Sequence, residues 1–142
     1  MSQINDISHV IQLAVAPVFL LMAVVNALGV LTGRLARIVD RARVLDEQAV
    51  DGTDATGVHQ DLEVLSHRAK LVNTAITLAV LCALCVCGVI VMLFADAVLA
   101  LDHSRSIALL FVLAMVCFIT ALAGFLRETY LATTTLRFSR RP

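Results

Sequence analysis

VIQLAVAPVFLLMAVVNALGVLTG, residues 10–33, runs for 24 positions without a charged side chain. A helix needs about 20 apolar residues to cross the hydrocarbon core of a bilayer, and a soluble helix seldom stays uncharged for that long. The pattern recurs in LVNTAITLAVLCALCVCGVIVMLFA, residues 71–95, and in SIALLFVLAMVCFITALAGFL, residues 106–126. A lone strand would leave its backbone groups unpaired in lipid, so each stretch reads as a helix. Of the 142 residues, 60 % are apolar and 15 % charged, against about 45–50 % and about 25 % in a soluble domain. A chain this short cannot bury that excess in a soluble core. The expected fold class is therefore all-α: an integral membrane protein with three transmembrane helices, its principal partner the lipid bilayer.

Orientation follows from Lys and Arg, which collect in cytoplasmic segments. Residues 1–9, MSQINDISH, contain Asp6 and neither basic residue. They lack the positive lead of a secretory signal, so an uncleaved first span with its N-terminus outside is expected. Residues 34–70 carry Arg34, Arg37, Arg41, Arg43, Arg68 and Lys70. The turn at 96–105 has Arg105, and the tail at 127–142 has Arg127, Arg137, Arg140 and Arg141. Ten of the eleven basic residues thus share one side, taken as the cytoplasm. The net charge of zero gives no global basic field of the kind that recruits nucleic acid.

Residues 34–70 are expected to form a cytoplasmic helical hairpin that extends spans one and two. Leu35, Ile38, Ala42 and Leu45 make one apolar stripe, and Val58, Leu62, Leu65 and Ala69 a second. Between them EQAVDGTDATGVHQ, residues 47–60, loses periodicity and gains Gly52, Gly57 and acids, so it reads as an acidic loop.

Polar groups inside hydrocarbon are costly, which makes them functional candidates. At about 100° per residue, Gln12, Ala16, Phe19, Ala23, Asn26, Val30, Arg34, Arg37 and Arg41 lie within about 40° of one line. One reading makes this strip the pore lining, or intersubunit face, of a homo-oligomeric ring, with arginines at the inner mouth selecting or gating ions. The other has Gln12 and Asn26 bonding across helix contacts at about 0.6 kcal/mol each while the arginines bind lipid phosphate. Pro17 is a hinge candidate or an ordinary kink. Asn73 is expected to tie spans together, whereas Thr74 and Thr77 can bond back to their own helix. Asp96 either recruits a cation at the outer mouth or marks the membrane edge.

Glu128 is the acid at the basic membrane boundary, where Arg34 and Lys70 also arrive, and a pair with one of them is expected to fix helix register. Arg127, Arg137, Arg140 and Arg141 should meet anionic lipid at about 1 kcal/mol each, with Tyr130 as an interface anchor. Cys82, Cys85, Cys87 and Cys117 lie mid-span in apolar surroundings and read as small packing residues. His9, His59, His67 and His103 are scattered over both sides, and no HExxH, nucleophile triad or phosphate loop is present. No metal, cofactor or catalytic activity is expected.

The opening VIQLAVAPVFLLMAVVNALGVLTGRLARIVDRARVL, with its run of Pro17, Asn26, Leu31, Thr32, Arg34, Arg37, Asp40 and Arg41, resembles a family of small bacterial membrane proteins, domain of unknown function 2721. HRAKLVNTAITLAVLCALCVC and FLRETYLATTTLR resemble its later motifs, so the likeness covers roughly Ile7 to Arg137. It implies a three-span protein of the bacterial inner membrane and supplies no activity. Two functional expectations stand: a homo-oligomeric ion channel built around span one, and a non-conducting scaffold whose basic hairpin binds anionic lipid or a partner.

Overall fold

The structure, a computed structural model, describes the backbone of residues 2–50, 55–99 and 103–138 and the side chains of residues 8–47, 62–99 and 103–130. These residues form three α-helices: α1 (Ser2–Val50), α2 (Ala55–Leu99) and α3 (Ser104–Phe138). Each contains a segment long and apolar enough to cross a membrane, within Ser8–Glu47, Leu62–Leu99 and Ser104–Tyr130. The protein is a multi-pass membrane protein with three spans. At about 1.5 Å per residue α1 extends about 74 Å, more than twice the about 30 Å of hydrocarbon it must cross.

The helices outrun the segments expected for them. Helix α1 begins at Ser2, inside the expected tail, and continues to Val50, while α2 is already helical at Ala55. Residues 47–50 and 55–60 of the expected acidic loop are therefore helical, and residues 51–54 lie outside the described residues. Gly57 falls in the first turn of α2, where a glycine interrupts little of the hydrogen-bond ladder. Helix α3 likewise continues through LRETYLATTTLRF, which lacks Gly and Pro, to Phe138. Pro17 is accommodated without ending α1.

The chain divides into two compact units, residues 1–28 with 78–119 and residues 29–77 with 120–142. In the first, the buried positions of α1 are Ala14, Pro17 and Val24, those of α2 are Ala79, Cys82, Cys85, Val86 and Val89, and those of α3 are Ala114 and Cys117. Apart from Cys85, neighbouring positions in each helix are three, four or seven apart, the spacing of helices that pack along a narrow seam. The side chains are small, which lets backbones approach closely where van der Waals contact drives association in lipid. Gly88 illustrates the closeness: a Cβ there would stand 3.1 Å from Leu110 Cδ2.

In the second unit the buried seam is Leu31 and Ile38 on α1, Leu65, Val72 and Ala75 on α2, and Ala121 and Glu128 on α3. Gly124 faces Ala75 at ordinary contact distance, 3.8 Å from a built Cβ. In both units many large apolar side chains point outward, among them Phe19, Met22, Val91, Leu109 and Leu126, each more than 60 % exposed. So many large apolar groups on the outside depart from the order of a water-soluble protein and suit a lipid surround.

Candidate functional site

The second unit carries its charge in the seam. Arg34 lies three residues after Leu31 and four before Ile38; Arg68 lies three after Leu65 and four before Val72; Glu128 lies seven after Ala121. The spacing that buries the apolar side chains therefore turns these three polar ones toward the same interior. Each stands just beyond an uncharged stretch, at residues 33, 71 and 126, so the cluster belongs to the basic end of the spans.

Glu128 is fully buried, at 0 % exposure, and divides its oxygens between two guanidiniums. Arg34 Nη1 donates to Oε2 at 2.9 Å, and Arg68 Nη2 donates to Oε1 at 2.7 Å. Such charge-assisted bonds are roughly twice as strong as neutral ones, and a buried carboxylate needs them to offset its desolvation. Arg34 also stacks its guanidinium over the Phe125 ring, 5.0 Å from the centroid, a cation–π contact. Arg68 keeps one buried donor, Nε, without an acceptor among the described residues.

Beside this cluster lies a cavity of about 520 Å³ lined by Arg34, Arg37, Ile38, Arg41, Leu65, Arg68 and Glu128. Arg37 and Arg41 are exposed, and Arg37 Nε donates to the Gly33 carbonyl at 3.2 Å. Four guanidiniums against one carboxylate leave a surplus of three positive charges on the lining. Guanidinium forks match the oxygens of carboxylate and phosphate groups. Chemically, the cavity is suited to an oxyanion.

Of the two expected partners for Glu128, the structure brings Arg34 to it and leaves Lys70 exposed. Arg68, not foreseen as a partner, takes the second oxygen. Its signal was present in the sequence: counting back by three and four from Ala75 and Val72 reaches Arg68 and Leu65.

The strip proposed as a pore lining faces outward in the single chain. Gln12, Ala16, Phe19, Ala23, Asn26, Val30, Arg37 and Arg41 are all exposed, while Arg34 is drawn off the strip by Glu128. Asn73 is also exposed, turned away from the interior rather than tying spans together, because its position falls just beyond Val72 on the outer side of the seam. Thr74 and Thr77 donate to the Lys70 and Asn73 carbonyls of their own helix at 2.9 Å. Arg127 is exposed; the side chains of Arg137, Arg140 and Arg141 lie outside the described residues.

In the first unit, Asp96 accepts the His103 backbone N–H and meets its Nδ1, both at 3.2 Å. His103 immediately precedes α3 and its carbonyl accepts the Ile107 N–H, so Asp96 closes the connection between α2 and α3. Asp96, Pro17 and Ala16 also line a largely apolar cavity of about 590 Å³ in this unit. Cys82, Cys85 and Cys117 fill core positions and Cys87 is exposed; among the described residues no group of three metal-ligating side chains converges.

No curated protein and no solved structure matches the chain. A family model does, across residues 14–138, from the first seam position of α1 to the end of α3. The resemblance carried by Pro17, Asn26, Arg34, Arg37 and Arg41 points the same way, and the chain belongs to the family described as protein of unknown function (DUF2721).

Proposed function

We propose that the protein is a non-catalytic, non-conducting interaction protein of the bacterial plasma membrane that gathers anionic lipid at its basic, cytoplasmic end. The observation that carries this reading is the convergence of Arg34, Arg37, Arg41 and Arg68 on one cavity, with Glu128 as the sole carboxylate of its lining among the described residues. Basic side chains at an anionic leaflet contribute about 1 kcal/mol each, and Arg127 adds an exposed cation at the same end. The asymmetry of Lys and Arg supports an outside N-terminus and an inside C-terminus, and reporter fusions to each end test that orientation. The binding test is native mass spectrometry of the purified full chain with mixed lipids. Phosphatidylglycerol should be retained in preference to phosphatidylcholine, and Arg37→Glu with Arg41→Glu should abolish the preference. Equal retention of both lipids by the parent chain refutes the reading.

A homo-oligomeric pore is the second reading, favoured by one specific observation: Gln12 and Asn26 are exposed on an otherwise apolar surface. Polar amides at bilayer depth call for partners or water, which a ring of subunits would supply. Subunit counting decides between them. A monomer or dimer ends the pore reading, whereas a ring of four or more that conducts ions in bilayers replaces the lipid-binding one.

A further inference from the structure

We propose that the arginine cavity is a discrete site for one phosphomonoester group, a dianionic phosphate with a single ester link. The inference rests on the anionic-lipid reading above and narrows it from a diffuse basic surface to a stoichiometric pocket.

Three observations carry it. Among the described residues the lining holds four guanidiniums and one carboxylate, a surplus of three charges that a monoanionic phosphodiester would leave mostly uncompensated. A phosphomonoester near neutral pH carries about −1.5 to −2 and three strong acceptor oxygens. Second, Glu128 uses one nitrogen from each of Arg34 and Arg68, although every guanidinium offers five N–H donors. Donors therefore remain uncommitted, and the buried Arg68 Nε has no acceptor among the described residues. Third, the pair with Glu128 fixes Arg34 and Arg68 before any ligand arrives, while Arg37 and Arg41 on the exposed side can close over it. A preorganised floor lowers the ordering cost of binding.

Ile38 and Leu65 give the lining an apolar portion as well, which suits the glycerol or acyl side of an ester better than a free ion. The cavity begins at Arg34, directly after the uncharged run 10–33, at the depth where headgroups lie. A phosphatidic-acid-type headgroup and a soluble phosphomonoester share this chemistry, and the test separates them.

The full-length chain is placed in phosphatidylcholine nanodiscs, alone or doped with phosphatidic acid or phosphatidylglycerol, and lipid binding is titrated by native mass spectrometry. Parallel titrations use inorganic phosphate in the buffer. Phosphatidic acid should saturate at one per subunit and bind at least about tenfold tighter than phosphatidylglycerol. Arg37→Ala with Arg41→Ala, at exposed positions that leave the Glu128 pair intact, should erase that difference. Arg37→Lys with Arg41→Lys should keep general anionic affinity but lose most of the monoester preference, since a point charge lacks the fork. Saturable binding of inorganic phosphate with the same arginine dependence, and no preference between the two lipids, supports the site with a soluble ligand. Equal, unsaturable binding of both anionic lipids overturns the pocket and leaves the anionic-lipid reading standing. A monoester preference that survives the double alanine variant overturns the pocket too. Failure to prefer either anionic lipid over phosphatidylcholine removes both readings.

Discussion

Replacing Glu128 by Gln changes the volume of the side chain hardly at all but removes the one negative charge in the basic seam. In the parent protein its two oxygens accept charge-assisted bonds of 2.9 and 2.7 Å from Arg34 and Arg68. Bonds to charged groups contribute about 1.5–3 kcal/mol each, so both together set an upper bound of about 6 kcal/mol. Two effects reduce it. The amide oxygen of Gln still accepts from one guanidinium, and the Arg34 and Arg68 side chains are 32 % and 25 % exposed, so water or lipid phosphate recovers part of the loss. Removing one partner of a buried pair costs about 3–5 kcal/mol; with that partial exposure the expected loss is about 3 kcal/mol, the low end of the range.

The assay is equilibrium unfolding of the purified chain in mixed micelles with increasing sodium dodecyl sulfate, followed by circular dichroism at a helical band. Arg127→Ala, an exposed position at the same end, serves as the control and should stay within about 0.5 kcal/mol of the parent. A further variant isolates the cause. Converting all three groups together, Arg34→Met, Arg68→Met and Glu128→Leu, removes the unpaired charges along with the pair and should recover most of the stability lost by Glu128→Gln. A Glu128→Gln protein as stable as the Arg127→Ala control refutes the reasoning, because the buried carboxylate would then hold nothing in place.

Other perturbations test the packing. Gly33 has open space where a Cβ would stand, so Gly33→Ala should stabilise α1 by about 0.5–1 kcal/mol in the same unfolding assay. Gly88→Ala meets only the flexible end of Leu110 and should be tolerated within about 1 kcal/mol, whereas Gly88→Val should cost about 1–3 kcal/mol through overpacking. Phe125→Leu removes the ring beneath Arg34 and should cost about 0.5–2 kcal/mol, again read by unfolding.

The three spans were legible because lipid imposes a requirement that a single helix answers by itself: about 20 apolar residues with a saturated backbone. The inward turn of Ile38 on α1 and of Leu65 on α2 was legible for the same local reason, a 3–4 spacing of apolar residues. What escaped was governed by non-local contacts. Treating Gly57 as a loop marker weighed local propensity alone, yet α2 is helical from Ala55 and its buried seam begins at Leu65; Gly52 lies outside the described residues. Arg68 was counted only among the basic residues of 34–70, because hydropathy does not distinguish a charge on the seam from one beside it. Lys70 lies two residues on, about 200° around the helix, and that rotation alone separates a paired group from an exposed one.

The placement of the charged residues also explains what they do for the helices around them. In the second unit the apolar seam consists of Leu31, Ile38, Leu65, Val72, Ala75 and Ala121, with Gly124 against Ala75. Contacts among such side chains in lipid compete with equally apolar acyl chains, so they gain little from excluding solvent and discriminate weakly between one register and the next. A slip of one helical turn would exchange one alkyl contact for another at small cost, but it would carry Glu128 about 5.4 Å along its helix, beyond hydrogen-bonding reach of Arg34 and Arg68. An ion pair that adds little net stability over a hydrophobic replacement thus gains its value from the alternatives it penalises. The same fixed pair holds Arg34 and Arg68 at the cavity wall, so the device that sets the register of the helices also prepares the site that their basic end offers to an anion.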